Sequence, residues 1–200
     1  MGSGGGVNVD SLEHSDAVID RRGKLLGRKG VLQGDDVSNR PWSVFKPNDP
    51  CRAKAIVRPT TTEEVSQVIK ICAAAGQKIV PIGGGTGLVE GQVAFEDEIQ
   101  LSLELMNRIE QIDPTDRTAT VQAGVTLQKV QEAADAEDLF FPLDLGGRGT
   151  ATIGGNVSSN AGGNRVVRYG MARDMVLGLE AVLADGTIVS SLNRMIKNNA

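Results

Sequence analysis

Residues Gly146–Gly163 read GGRGTATIGGNVSSNAGG, and this stretch decides the fold. A segment so poor in bulky side chains makes a poor core by itself, so something other than protein is expected to fill the space beside it. Thr152, Asn156, Ser159 and Asn160 supply short polar groups that can hydrogen-bond a ribose, a pyrophosphate oxygen or the edge of a ring. A disordered linker is the lesser reading.

A second glycine cluster lies upstream, in Pro81-Ile82-Gly83-Gly84-Gly85-Thr86-Gly87-Leu88. It follows a predicted buried strand, Lys78 to Ile82, and adjacent residues without side chains let successive N–H groups converge on one point. Such a nest suits a phosphate. A plain glycine turn is an equal reading for the triplet alone. A dinucleotide fingerprint of the GxGxxG type fails because Glu90 stands at the third glycine position, and no Gly-Lys followed by Ser or Thr is present for a Walker loop. Two phosphate-friendly segments in one small domain favour a dinucleotide over a single phosphate.

Between and around these clusters the pattern alternates. Asp16 to Gly30 predicts a short surface helix interrupted by glycine, and Arg40 to Pro59 an irregular arm entering a brief strand at Ala55 to Val57. Thr62, Glu63 and Glu64 predict a helix start, with Val65, Val68, Ile69 and Cys72 at helical spacing until Gly76. The strands flanking that helix are expected parallel in one sheet. Short strands are expected at Ile99 to Leu103, Arg108 to Asp113 and Thr118 to Ala123, with a turn at Asp113 to Asp116, then a helix capped by Thr126 running to Asp135. Met175 to Ala184 and Thr187 to Ser190 predict a hairpin around Asp185-Gly186.

Bulk composition narrows the function. The 200 residues carry 21 Lys and Arg against 25 Asp and Glu, with no block of like charge, which argues against a nucleic-acid partner. Cys51 and Cys72 are too few for a disulfide framework, and neither sits in a zinc-type spacing. No apolar run approaches the length of a membrane span, and no secretion signal is evident. These features predict a cytoplasmic protein. Met1 to Gly6 is a low-complexity leader. The expected organisation is a flexible leader over 1–15, an N-terminal helical arm over 16–50 and a cofactor domain over 51–200.

The segments PIGGGTGLVEG (Pro81 to Gly91), FPLDLG (Phe141 to Gly146), TIGGNVSSNAGG (Thr152 to Gly163) and VRYG (Val167 to Gly170) resemble the flavin-binding domain of the vanillyl-alcohol-oxidase-like, p-cresol methylhydroxylase (PCMH)-type flavoproteins. Among these, the combination is most similar to the D-lactate, glycolate and D-2-hydroxyglutarate dehydrogenases, over roughly Arg52 to Ala200. The resemblance implies an α+β FAD-binding domain of two subdomains, short of its C-terminal end. It implies a pyrophosphate held between Ile82 to Leu88 and Thr152 to Asn160. The implied contacts are Pro81, Ile82, Gly83, Gly84, Gly85, Thr86, Gly87, Leu88, Pro142, Asp144, Leu145, Gly146, Thr152, Ile153, Gly154, Gly155, Asn156, Ser159, Asn160, Gly162 and Val189, the last through its backbone to the adenine.

Some relatives bond the flavin covalently through a histidine in the first loop, but this chain has its single histidine at His14, so FAD is expected to be non-covalent. The implied reaction oxidises a D-2-hydroxy acid to the 2-oxo acid and passes electrons to a separate acceptor. In the family, the catalytic base and metal-binding histidines belong to a substrate domain further along, so no catalytic residue and no metal ligand is assigned here, and this chain alone is expected to be inactive. A homodimer is compatible with the reading. The alternative is a flavin-binding electron-transfer subunit or fragment without a substrate site; an enolpyruvyl-sugar reductase or the flavin subunit of a molybdenum hydroxylase fits PLDLG and TIGGNVSSNAGG less well. Arg148, Arg165, Arg168 and Arg173 are candidates for pyrophosphate or substrate carboxylate contacts, or for ion pairs with Asp144 or Asp174. Tyr169 and Cys72 are expected to pack.

Overall fold

The structure is a computed structural model, and it describes residues 19–192. A helix, α1, covers residues 19–26. A 3-10 turn (Arg28–Gly30), strand β1 (Val31–Leu32) and a single-turn helix α2 (Asp35–Ser38) follow. The expected surface character of the first helix fails at two positions: Ile19 and Arg22 are buried. The region expected as an irregular arm contains a small hairpin of β2 (Pro41–Ser43) and β3 (Lys46–Pro50), antiparallel with a register shift. Pro41, Pro47 and Pro50 lie on this ribbon, where missing N–H donors cost little.

The main sheet has strand order β1-β4-β6-β5, with β4 Ala55–Val57, β5 Ile79–Ile82 and β6 Ile99–Ser102. Both β4 and β5 run parallel to β6, and β1 closes the other edge antiparallel to β4. The parallel expectation holds, with β6 inserted between the two strands that flank the helix. Position in the sheet corrects one expectation: β5 is an edge strand and only half-buried, whereas β6 is buried at all four positions.

Strand alternation sorts the core into two layers. Ala55 and Val57 of β4 join Ile99 and Leu101 of β6 on the face covered by α1 and α3, where Val65, Val68 and Cys72 complete the cluster. Ile56 points the other way, into a cluster with Val37, Cys51, Ala53 and Ala94. Helix α3 (Thr62–Ala74) starts at Thr62 as expected, and the residue before it is the cap: the Thr61 side chain accepts from the Glu64 N–H at 3.1 Å. Glu64 in turn accepts from the Thr60 N–H and hydroxyl, closing both ends of the turn. Gly76, at φ +62°, provides the left-handed residue past the helix end.

Most of the remaining elements form a second, smaller layer, while the last hairpin packs against α3 of the first. Strands β7 (Ile109–Asp113) and β8 (Thr118–Val121) make a hairpin whose turn is tied by Asp113 Oδ1, accepting from Thr115 and Asp116 N–H. Helix α4 (Leu127–Asp135) is capped by Thr126 as expected. Leu127, Leu143 and Ala172 hold this layer together. A 3-10 turn at Ala172–Met175 and a short β9 (Glu180–Val182) replace the long strand expected over Met175 to Ala184, and β9 pairs with β10 (Ile188–Ser190). The Asp185-Gly186 turn does form: Asp185 Oδ1 accepts from Thr187 N–H, and Ser66 Oγ of α3 donates to the Gly186 carbonyl at 2.5 Å. His14 lies outside the described residues. Among those described, no helix is long and apolar enough to cross a membrane.

Candidate functional site

The stretch Gly146–Gly163 is not loop throughout: Ile153–Ser158 forms a short helix, α5, with Thr152 as the extended residue before it and Ser159 after it. Glycines inside a helix cost stability, and here close packing accounts for one of them. A Cβ on Gly154 would fall 2.8 Å from Ala123 Cβ and 3.0 Å from Ala123 O. The Gly154 and Ile153 amides donate to Ala123 O and Val125 O, both at 2.8 Å. These two N–H groups therefore serve the fold. An isolated bridge between Thr126 and Thr152 continues the anchor, and Leu127 N–H donates to Ala151 O.

The two glycine clusters meet. A Cβ on Gly83 would lie 2.5 Å from Thr152 Oγ1 and 3.6 Å from the Gly155 Cα. On Gly84 it would overlap the Thr150 carbonyl. The far side of the loop closes similarly, since a Cβ on Gly147 would sit 3.2 Å from Thr86 Cγ2. Only a chain without side chains at 83 and 84 can be brought this close to the segment entering α5.

Polar groups at this junction are left over. Among the described residues the amides of Gly83, Gly84, Gly85 and Thr86 donate to no other group. Thr152 Oγ1 and Asn156 Nδ2 are buried and also lack a hydrogen-bond partner. Folded proteins rarely leave buried groups like these last two unmatched, and a polar ligand is one of the few ways to satisfy them; the loop amides, exposed to half-buried, stand open to the same ligand. The donor set (backbone amides, a hydroxyl and a carboxamide) is suited to phosphate and ribose oxygens.

Other expected contacts do different work. Ser159 Oγ donates to Gly155 O at 2.7 Å, and Asn160 Oδ1 accepts from Arg173 N–H at 3.0 Å while its Nδ2 reaches Met171 Sδ. Both side chains close the turn after α5. Gly162 faces Met171, and Leu145 and Ile153 pack onto the apolar cluster of the second layer. Asp144 sits between Arg148 and Arg165, at 3.9 and 3.7 Å, and its backbone pairs with Gly163. The arginine candidates thus divide: two pair with Asp144, while Arg168 stacks over Tyr169 and Arg165 also lies over Phe140. Tyr169 packs on Phe140, with centroids 5.8 Å apart. Pro142 is half-buried and Gly146 exposed, with open space where a Cβ would be. Leu88 is exposed at the tip of the first loop.

An apolar groove of about 580 Å³ runs between α3, the open face of β5 and β6, and β9. Pro81, Leu103, Ala123 and Ala181 are among its walls, so it runs from β5 to the strand opposite Val189, whose register partner is Ala181. Reading the sequence missed three parts of the site: the Ala123–Val125 anchor, the Thr150–Ala151 backbone, and Gln92 with Gln100. Only the last had a visible signal, a glutamine inside the strand IQLS. Among the described residues no cluster of three or more His, Cys, Asp or Glu is placed to hold a metal.

Two glycine segments packed backbone to backbone, with donors left over where they meet, form a junction suited to a phosphate-bearing ligand. The chain belongs to the FAD binding domain family, whose model matches residues 53–191, and its cofactor is FAD. It is 46% identical over 144 residues to the mitochondrial D-2-hydroxyglutarate dehydrogenase of Danio rerio, covering 72% of this chain and 27% of that one. The mitochondrial D-2-hydroxyglutarate dehydrogenase of Rattus norvegicus is 44% identical over 147 residues, with 74% and 28% covered. The crystal structure of p-cresol methylhydroxylase with substrate bound superposes with a TM-score of 0.69 at 26% identity, over 89% of this chain and 35% of that one. The chain thus spans a little over a quarter of the length of these two dehydrogenases. They also correct the cytoplasmic location expected from the sequence, because both are mitochondrial. The lack of a long apolar run and of a secretion signal does not distinguish the cytoplasm from the inside of an organelle, which is why that expectation failed.

Proposed function

We propose that this chain is the FAD-holding part of a mitochondrial dehydrogenase that oxidises a D-2-hydroxy acid, D-2-hydroxyglutarate being the first choice, to the 2-oxo acid and hands the electrons to a separate acceptor. The carrying observation is the junction itself: the amides of Gly83–Thr86 set against Thr150–Gly155, with buried Thr152 Oγ1 and Asn156 Nδ2 beside them, all without a partner among the described residues. The names of the zebrafish and rat relatives support the substrate class. When bound, FAD supplies the hydride-accepting chemistry, which no side chain can provide.

The chain's own residues bind and orient. Gly83, Gly84, Gly85 and Thr86 present N–H groups to the pyrophosphate, Thr152 and Asn156 add side-chain donors, and Ile82, Gly87, Leu88, Gly155 and Gly146 line the approach. The Ser159, Asn160 and Gly162 turn fixes the end of α5. Pro142, Asp144 and Leu145 flank the flavin side. The groove from Pro81 to Ala181 leads toward Val189, which meets the adenine through its backbone. Binding is non-covalent, since the first loop carries no histidine, cysteine or tyrosine.

The test is the visible absorption of the purified chain after loading with FAD and removal of the excess by gel filtration. Retained flavin bands that denaturant releases are expected. A folded protein that stays colourless would overturn the assignment of these loops.

A further inference from the structure

Gln100 is an anomaly in the sheet. It occupies the middle of β6, is 4% exposed, and shares a face with Ile56 and Cys51, its cross-strand partner and a neighbouring core residue. A carboxamide in an apolar layer costs free energy unless both ends are bonded. Both are: Nε2 donates to the Gln92 carbonyl at 2.8 Å, and Oε1 accepts from the Cys51 thiol at 3.9 Å. Gln92, 9% exposed, turns its own side chain back into the first glycine loop, where Nε2 donates to the Gly85 carbonyl at 3.3 Å. The far end of that side chain also contacts Gly87, since a Cβ there would lie 3.5 Å from Oε1.

The Gly85 carbonyl and the Thr86 N–H belong to one planar trans peptide, so fixing the carbonyl on one side fixes the N–H on the other. Thr86 is the residue whose side chain meets Gly147 of the second segment. Gly85 itself sits at φ +68°, where glycine is free to rotate and an external tether matters most.

We propose that Gln92, held in turn by Gln100, is a positioning residue for cofactor binding: it clamps the Gly85 carbonyl so that the Thr86 N–H is presented to the pyrophosphate between the two glycine segments. This inference rests on the reading given under the proposed function. Gln92 contacts no cofactor atom itself.

The test compares the full chain with Gln92→Met and Gln92→Glu. FAD affinity is read from flavin fluorescence across pH 5 to 8, and folding from thermal melts. Losing the donor in Gln92→Met is expected to weaken FAD binding by about tenfold, the scale of one net hydrogen bond. Gln92→Glu is weak at pH 8, where a carboxylate repels the Gly85 carbonyl. It regains affinity as acidification restores a protonated donor, while the parent chain shows no such gain. A residue that merely supports the fold would shift the melt without this pH signature. Unchanged FAD affinity in Gln92→Met overturns the inference. A parent chain that fails to hold FAD sinks the underlying reading instead, and amide exchange at Thr86 in the ligand-free chain then decides the clamp: faster exchange in Gln92→Met supports it, equal exchange overturns it.

Discussion

Thr150 presents its carbonyl oxygen to Gly84 in the volume that a Cβ would fill, so the two glycine segments touch through their main chains with nothing between. The contact sets how far apart the amides of one segment and the side chains of the other can stand. Gly84→Ala must push them apart, because the obstacle is backbone that cannot rotate away. Overpacking of this kind costs about 1–3 kcal/mol. The variant is expected to melt several degrees lower, and FAD affinity is expected to fall by more than the stability loss alone accounts for. Parent-like FAD binding by a folded Gly84→Ala would show that the junction is not the cofactor site.

Asn156 and Thr152 lead to a prediction of opposite sign for the two states of the chain. Their buried Nδ2 and Oγ1 have no partner among the described residues, so replacing either side chain by an apolar one of similar shape removes an unmet polar group. Thr152→Val and Asn156→Leu should leave the ligand-free melt unchanged or raise it, by up to about 1 kcal/mol, while weakening FAD binding about tenfold each. Parallel melts with and without FAD check this. Loss of stability without FAD would mean that the groups serve the fold.

The legible part of the fold was the part governed by local chemistry. Thr126 caps α4, Val65, Val68 and Cys72 mark the buried stripe of α3, and Asp185-Gly186 turns the last hairpin, because capping, periodicity and turn preference act over a few residues. The glycine clusters were legible as a candidate site because so much main chain without side chains has few other uses, and the structure brings the two together. Helix α5 was not, since Gly154 and Gly155 are poor helix formers and the helix depends on Ala123 and Val125, about thirty positions away. The half-exposure of β5 was equally hidden: its four residues, IVPI, look as apolar as a central strand, and only the sheet order makes them an edge. Arg22 was read as surface because charge predicts exposure, and that rule fails here.

Glu104 gives a pH dependence. Its carboxylate accepts from Arg40 Nη1 and Nη2 at 2.7 and 2.8 Å and from Arg58 Nη1 at 2.9 Å, and Arg58 also reaches the Lys29 carbonyl. The Arg40 hydrogen bonds, opposed by partial burial and helped by Arg58, lower its pKa from 4.5 to about 2. A carboxyl held below its unfolded value stabilises the fold fully above pH 4.5, and the contribution is lost as pH falls toward 2. Discounted for solvent screening of a half-open pair, it amounts to about 1–2 kcal/mol. Glu104→Gln should therefore melt lower than the parent at pH 7, and the difference should shrink as pH is lowered from 5 to 3. A difference that stays constant over that range would remove the ion pair from the account.

Arg22 is fully buried in the layer between α1, α3 and the sheet, and among the described residues its guanidinium meets no carboxylate, the Cys72 thiol being the polar group beside it. Burial pulls the guanidinium below its ordinary value, and it pushes the Cys72 thiol up against the opposing charge of Arg22. Among the described residues the pair is therefore a buried cation beside a neutral thiol. Replacing a poorly paired buried ion by an apolar side chain of similar length commonly stabilises a protein by about 1–4 kcal/mol. Arg22→Met is expected to raise the melting temperature by several degrees, and Cys72→Ala should open a cavity and lower it. FAD affinity should not change in Arg22→Met, because Arg22 packs under α3 and not at the glycine junction. A large loss of stability on Arg22→Met would show that the guanidinium finds an anion in solution, and that its charge holds α1 in place.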